Sequence, residues 1–243
     1  MASKKGYRRG YPVAVLIGIE NDHAVLWKVF SHAVKPEKNV PLNGVRSDPK
    51  ALYNFHESIV NVLRPSIKEG VRSLIIASPP RTNCAQEFIK HIRAHHAWLV
   101  QGPSKAVFSE MTGSASTISE VTALTKTLAF SRIINETTEE ETEDLIDLLE
   151  KRLNAPSQDV LVLYSLDDIE DQILGAWIIG KPKPEYLLLT DMYLSSTRQK
   201  NKLQRLMQIA TNRKVKTRIV KADSLAGKRL AQLGGLVCIM KPD

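Results

Sequence analysis

Short apolar runs recur along the chain, and segments with the apolar spacing of helices separate most of them. The clearest runs are 13–20 (VAVLIGIE), 73–78 (SLIIAS) and 186–190 (YLLLT). An apolar run of this length between turn residues is typical of a strand, and the run 73–78 is typical of a central strand that is buried on both faces. Strands that alternate with helices predict an α/β fold with mostly parallel sheets covered on both faces.

The first half of the chain predicts one α/β unit. The run 13–20 and the segment 23–30 flank the turn pair Asn21-Asp22, which indicates a hairpin. Residues 31–47 are polar and contain two prolines and a glycine, so we expect a long loop there. An acid followed by proline at 48–49 is typical of a helix start. Further on, we expect strands at 73–78 and 98–101 and helices at 84–95 and 118–128.

The second half predicts another α/β unit, which begins near Phe130. We expect an acidic helix at 138–153, whose leucines share one side, and a basic helix at 198–211. The other expected elements are strands at 158–164, 186–190, 215–220 and 236–240, and helices at 166–174 and 224–233.

Charge is concentrated in separate segments of the chain. Lys and Arg number 34 against 26 Asp and Glu, a net of +8, and residues 1–129 account for all of it. In the second half, 136–171 has a net charge of −11 and 198–229 a net charge of +10. Basic segments attract phosphate backbones, which indicates a nucleic-acid partner. The alternative is that these are solvated helix faces that partly neutralise each other after folding.

Several classes of function lack their sequence signals. The chain has no Walker A loop, no Gly-x-Gly-x-x-Gly fingerprint and no Gly-x-Ser-x-Gly elbow. No apolar run approaches the roughly 18 residues of a membrane helix, and no cleavage site follows the basic start, so we expect neither a membrane span nor a signal peptide. Cys84 and Cys238 are too few for a disulfide framework, and we expect buried free thiols in a reducing cytoplasm.

Two histidines and two carboxylates are candidate metal ligands. His91 and His95 have the i, i+4 spacing of a helical chelate, but no third ligand is evident, so we expect solvated helix histidines and no metal site. Glu20 and Asp22 bracket the first predicted hairpin turn, and paired carboxylates hold Mg²⁺ in nucleases. A two-metal site needs more carboxylates on the same sheet, so a turn is favoured and a metal-dependent ribonuclease is the alternative.

Four segments resemble the Pelota proteins and the archaeal and eukaryotic class 1 release factors. Residues 224–241 (SLAGKRLAQLGGLVCIMK) are similar to the end of that family, where a short helix leads through a glycine turn into a closing strand. Residues 186–193 (YLLLTDMY), 73–79 (SLIIASP) and 112–124 (TGSASTISEVTAL) are similar to segments of its third and central domains. Their order and spacing match, and the resemblance covers roughly residues 11–243.

The resemblance implies a ribonuclease-H-like central domain at 11–129 and, at 130–243, a C-terminal domain similar to kink-turn-binding ribosomal proteins. We expect a basic tail at 1–10 in place of the family's N-terminal decoding-site domain. Release factors carry Gly-Gly-Gln in the loop after the first hairpin, where it promotes peptidyl-tRNA hydrolysis. Residues 31–47 contain Asn43-Gly44 and no glutamine, so hydrolase chemistry does not carry over. The loop is more similar to that of Pelota, which uses a basic loop.

Charge and resemblance together predict a non-catalytic, cytoplasmic, ribosome-associated factor that acts in ribosome rescue, recycling or hibernation. It would bind rRNA or tRNA and, as the resemblance implies, a translational GTPase or the recycling ABC ATPase, with no cofactor and no membrane. The alternatives are the ribonuclease, acting in mRNA surveillance, and an RNA-binding module for RNP assembly. The acidic helix is an alternative site for a basic protein partner. The candidate RNA contacts are Lys4, Lys5, Arg8 and Arg9 in the tail, Lys35, Lys38, Arg46 and Lys50 at the loop, and Arg198, Lys200, Lys202, Arg205, Arg213, Lys214, Lys216 and Arg218 in the second half.

Overall fold

The computed structural model describes residues 11–102, 105–156, 161–175 and 182–242. The chain divides into two compact units: the first runs to Ile67 and continues at Val71–Glu141, and the second comprises Lys68–Gly70 and the chain from Thr142 onward. A 26-residue helix, Leu128–Leu153, contains both this division and the predicted boundary at 129/130. The predicted basic tail at 1–10 lies outside the described residues.

The first unit is built on a five-stranded mixed sheet in the order β3-β2-β1-β4-β5. Neighbouring strands β1, β2 and β3 pair antiparallel, whereas β1 with β4 and β4 with β5 pair parallel. Every residue of the central strand β4 is buried, as its continuous apolar run predicts. The strands are β1 (Pro12–Ile19), β2 (His23–Phe30), β3 (Val34–Pro41), β4 (Ser73–Ser78) and β5 (Val107–Thr112).

Helices cover both faces of this sheet. One core cluster joins the strands to the apolar stripes of α1 and α2, including Phe55, Ile59 and Phe88. A second cluster on the other face includes Val121 and Phe130, from the two helices that follow β5. These helices are α1 (Pro49–Lys68), α2 (Cys84–His95), α3 (Ala97–Val100), α4 (Ile118–Thr125) and α5 (Leu128–Leu153).

The second unit is built on a four-stranded sheet in the order β6-β9-β7-β8, in which β7 and β8 pair parallel and the other two pairs are antiparallel. Helices α6 and α8 pack in one core cluster, and α9 with the C-terminal half of α5 packs in another. The strands are β6 (Val162–Leu163), β7 (Lys183–Thr190), β8 (Lys216–Val220) and β9 (Leu236–Lys241), and the helices are α6 (Leu166–Leu174), α7 (Asp191–Ser196), α8 (Lys200–Asn212) and α9 (Leu225–Gln232).

Two α/β units are confirmed, but three predictions about local structure and sheet direction are wrong. The predicted loop at 31–47 contains strand β3, which tolerates Pro36 and Pro41 because it lies at the sheet edge. Residues 98–101 belong to the short helix α3 and its end, and the strand of that region is β5 instead. Both sheets are mixed rather than mostly parallel. In the first sheet, the tight β1–β2 hairpin requires antiparallel pairing, and in the second sheet β9 pairs antiparallel with β6 and with β7.

Across the part of the chain that the structure describes, no helix combines the length and the hydrophobicity needed to cross a membrane.

Candidate nucleic-acid interface

Strand β3 carries the first group of predicted RNA contacts at the edge of the five-stranded sheet. Lys38 is exposed, and Lys35 is half-buried opposite Lys28 of β2. Glu37 pairs with Lys28, with 3.4 Å between Nζ and Oε1. Lys50 is exposed in the first turn of α1, and that turn contains no acidic residue. Lys38 and Lys50 are therefore accessible to a phosphate backbone.

Arg46 behaves differently, because its guanidinium is bound within the fold. Its Nε donates to Glu87 Oε2 at 3.0 Å, and its Nη1 donates to the carbonyl oxygen of Glu20 at 3.0 Å. The side chain is only 19% exposed. Arg46 thus ties the segment after β3 to α2 and to the end of β1, and we exclude it from the RNA-binding set.

Helix α8 carries the exposed basic residues of the second unit. Its buried side consists of Leu203, Leu206, Met207 and Ala210, so the opposite side is solvated. Residues 198–214 contain no Asp or Glu. We define the α8 basic surface as the exposed cations along this helix and at its two ends: Arg198, Lys200, Arg205 and Lys214.

Lys202, also on α8, is held by two carboxylates of α6. Its Nζ lies 2.5 Å from Asp167 Oδ1 and 2.7 Å from Glu170 Oε2. These hydrogen bonds, the one to Asp167 first, raise the pKa of Lys202 above its usual range. Arg229 of α9 similarly contacts Glu150 of α5, 2.5 Å from Nε to Oε1. At these pairs the acidic and basic segments neutralise each other, as the alternative interpretation of the charge pattern predicts.

The three remaining predicted RNA contacts of the second unit bind protein groups or are buried. Arg213 donates from Nη1 to the carbonyl oxygen of Gly175 at 2.6 Å. Lys216 donates to the Tyr186 hydroxyl at 3.0 Å, and its Nζ lies 4.7 Å from the centre of that ring. Arg218 is 4% exposed within β8. As RNA contacts, these three residues do not fit the structure, because their head groups face protein atoms. Lys4, Lys5, Arg8 and Arg9 lie outside the described residues.

The two carboxylates of the ribonuclease alternative have separate environments. Glu20 Oε1 accepts hydrogen bonds from Ser114 Oγ at 2.5 Å and Ser116 Oγ at 3.1 Å. Asp22 is exposed, and its hydrogen bond with His23 Nδ1, 2.7 Å away, lowers its pKa. Neither belongs to a group of three or more metal-ligating side chains in the described parts of the chain. The ribonuclease stays a prediction that this geometry does not support.

Histidines form a cluster that the sequence does not reveal. His91 and His96 are buried rather than solvated, so the prediction is wrong for His91. Both contact the same oxygen of Glu57 on α1: Oε1 lies 3.0 Å from His91 Nε2 and 2.7 Å from His96 Nε2. His95 is exposed, as predicted. Glu57 lies 34 residues before His91, so helical spacing gives no signal for this contact.

The two cysteines are free and buried, as predicted. Burial raises the pKa of Cys238 to about 12, so its thiol is protonated and unreactive at neutral pH. Cys84 lies at the start of α2, where its side chain belongs to the core cluster of the first unit. Both thiols therefore serve as packing groups.

Comparison with known proteins gives matches among solved structures. No protein-family model matches the chain, and no curated protein matches it by sequence. One match is the structure of S. cerevisiae Dom34, which is described as a translation termination-like factor involved in RNA quality control pathways and interacting with Hbs1. The two chains are 17% identical with a TM-score of 0.51, and the match covers 94% of this chain and 63% of that chain. The archaeal Pelota in a model of ribosome-bound Pelota and ABCE1 matches with 18% identity and a TM-score of 0.54, over 99% and 63%.

The chain thus spans less than two thirds of the length of these two proteins, and at this identity the likeness concerns the fold. It extends over nearly all of the chain and therefore includes both α/β units. The four sequence segments that resemble Pelota lie in strands and helices of both units. The chain therefore has the α/β fold of Dom34 and Pelota, as those segments predict.

Proposed function

We propose that this chain is a non-catalytic, ribosome-associated translation factor of the Pelota type, which binds ribosomal RNA through exposed basic side chains. The observation that carries the proposal is the match to Dom34 and Pelota over 94% and 99% of the chain. One of these proteins is described as a translation termination-like factor and the other as ribosome-bound. A fold alone does not determine a function, so the exposed side chains must support the same conclusion.

The charge distribution supports an RNA partner. The chain has a net charge of +8, and the α8 basic surface places four cations where no carboxylate interrupts the sequence. Asn201, Gln204 and Gln208 are also exposed on α8, and their amides can donate to phosphate and sugar oxygens. Lys38 and Lys50 add two exposed cations on the first unit. Such contacts position a protein on RNA without reading its sequence.

The site chemistry supports a role without catalysis. The segment after the first hairpin has no Gly-Gly-Gln, and half of it forms the edge strand β3. Glu20 and Asp22 are occupied by serine and histidine partners. Dom34 is described as interacting with Hbs1, and Pelota is described together with ABCE1. By analogy, we propose that this chain works with a translational GTPase or a recycling ABC ATPase in cytoplasmic ribosome rescue, recycling or hibernation.

Ribosome co-sedimentation at graded salt tests the proposal. We expect the logarithm of the binding constant to fall linearly with the logarithm of salt concentration, with a slope of roughly −0.7 to −0.9 for each phosphate contacted. Replacing Arg198, Lys200 and Arg205 together by Glu removes up to three contacts, so the slope becomes shallower by about 2 to 3. The single variants Lys200→Glu and Lys228→Glu form a matched pair, because each reverses one charge and Lys228 is an exposed lysine on α9 outside the α8 basic surface.

Three results contradict different parts of the proposal. If the native chain does not sediment with ribosomes at low salt, the proposed function is wrong. If it does, but the triple variant binds with the salt dependence of the native chain, ribosome binding stands and the α8 basic surface is not the contact. RNA cleavage by the purified chain that requires Mg²⁺ and is lost in Glu20→Gln favours the ribonuclease instead.

A further inference from the structure

Three elements of the first unit converge on one group of potential metal ligands. Glu57 comes from the middle of α1, His91 from α2, and His96 from the residue between α2 and α3. One nitrogen of each histidine and one carboxylate oxygen all lie within 4.8 Å of one another. In the parts of the chain that the structure describes, this is the one such group of three or more His, Cys, Asp or Glu side chains.

Burial makes this group unlike ordinary surface histidines. The side chains of His91 and His96 are 6% and 7% exposed, whereas that of Glu57 is 27% exposed. The neutral imidazole is the form that binds metals. One side of the group is thus enclosed by protein, and the carboxylate side opens to solvent.

Two further imidazole rings lie beside this group. The rings of His56 and His95 lie 5.0 Å and 4.8 Å from that of His91, measured between ring centres. His56 is buried, and its Nε2 has no hydrogen-bond partner among the described residues. Buried polar nitrogens of this kind usually have a hydrogen-bond partner.

We propose that Glu57, His91 and His96 bind one Zn²⁺ ion through a carboxylate oxygen and two imidazole nitrogens. Two nitrogen ligands and one oxygen ligand suit Zn²⁺, which is borderline between hard and soft. Ligand atoms at about 2.0–2.2 Å from a tetrahedral ion are separated by roughly 3.3 Å. Glu57 Oε1 lies 3.0 Å from His91 Nε2 and 2.7 Å from His96 Nε2, and no two of the three ligand atoms are more than 4.8 Å apart. Small side-chain rotations therefore complete the site.

The proposed ion would have one ligand position open to water and would cross-link two segments of the first unit. Three protein ligands leave a fourth tetrahedral position for water, on the side where Glu57 is exposed. The ligands lie 34 and 39 residues apart in sequence, so the ion would cross-link α1 to the end of α2. Because an intact site requires the folded unit, metal binding stabilises that unit. This inference is independent of the proposed ribosomal function.

The test uses the full chain, stripped of metal by a chelator and carrying no histidine tag. It is titrated with ZnCl₂ in competition with a chromophoric chelator, and separately with CoCl₂ by visible absorption. We expect one Zn²⁺ per chain, a Co²⁺ spectrum typical of low coordination number, and a higher melting temperature with Zn²⁺. A native chain that binds no Zn²⁺ refutes the proposal, and the cluster is then a hydrogen-bonded triad.

Variants identify the ligands. His96→Ala and Glu57→Gln are each expected to weaken Zn²⁺ binding by about 100-fold or more, since even indirect partners of ligands contribute 10- to 100-fold. Glu57→Gln keeps the shape of the side chain, so circular dichroism should show an unchanged fold. His32→Ala, at an exposed histidine outside the cluster, is the matched control and should bind as the native chain does. Equal Zn²⁺ affinity in the native chain and both ligand variants overturns the assignment.

Discussion

Replacement of Arg46 separates a structural role from an RNA-binding role. Sequence analysis places Arg46 among the RNA contacts, whereas the structure shows its guanidinium bound to Glu87 and to the carbonyl oxygen of Glu20. We therefore predict that Arg46→Ala lowers the stability of the first unit. We also predict that ribosome binding by the folded protein is unchanged, because the removed group does not face solvent.

The magnitude follows from the two contacts. The ion pair with Glu87, whose side chain is 41% exposed, contributes about 0.5 kcal/mol because water screens it. The hydrogen bond from the charged Nη1 to the Glu20 carbonyl contributes about 1.5–3 kcal/mol. Nη2 is buried without a partner among the described residues, and its removal offsets part of the loss. The expected decrease in the free energy of unfolding is about 2 kcal/mol.

The assay must follow the first unit by itself, because two units need not unfold together. Hydrogen–deuterium exchange with mass spectrometry in increasing urea measures peptides from β1 and β4 apart from those of the second unit. With a denaturant slope of about 2 kcal/mol per molar urea, the midpoint of the first unit should decrease by about 1 M. Arg205→Ala, an exposed arginine of the second unit, is the control and should leave that midpoint unchanged.

One combination of results would refute the structural role of Arg46. If Arg46→Ala leaves the midpoint of the first unit unchanged but weakens ribosome sedimentation, the guanidinium faces RNA in solution. The two internal contacts would then not describe the working protein, and Arg46 would return to the RNA-binding set.

Two further predictions concern the cores. A Cβ on Gly18 would lie 2.6 Å from the carbonyl oxygen of Ala115, so Gly18→Ala should cost about 1–3 kcal/mol and lower the melting temperature of the first unit by several degrees; an unchanged melting temperature contradicts this close approach. Burial raises the pKa of Cys238 from 9.0 to about 12, so the neutral thiol is stabilised in the folded state. Its contribution to stability is complete below pH 9 and decreases as the pH rises toward 12. Reaction of Cys238 with a thiol reagent at pH 8 should require unfolding, and rapid reaction of the folded chain, located by mass spectrometry, contradicts the burial.

Local signals were sufficient for many elements of the fold. The bounds of β2, β4, α2 and α6 match their predictions, because apolar runs, helical spacing and capping residues define each of them within a few residues. Strand β3 was missed because its prolines are typical of loops, and only its position at the sheet edge makes them compatible with a strand. Strand order and direction depend on packing between distant segments, so periodicity could not predict that both sheets are mixed.

The histidine cluster shows the same limit at the level of a site. His91 and His95 have the spacing of a chelate, yet in the structure His91 and His96 contact the same oxygen of Glu57 on another helix. The third ligand depends on how α1 packs beside α2 on the sheet, and no residue near His91 in sequence indicates it. Burial of His91 and His96 is likewise a property of the folded unit.

In the second unit, the net charge of a sequence segment differs clearly from the charge that its exposed side chains present to solvent. Residues 198–229 have a net charge of +10, a pattern typical of an RNA-binding segment. Lys202 and Arg229 bind carboxylates of α6 and α5, Lys216 and Arg213 donate to uncharged oxygens, and Arg218 is buried. The cations that remain accessible among the predicted contacts cluster on α8 and its ends. An RNA partner of this unit should therefore lie along α8, and charge reversal there should affect binding far more than the same change at Lys228.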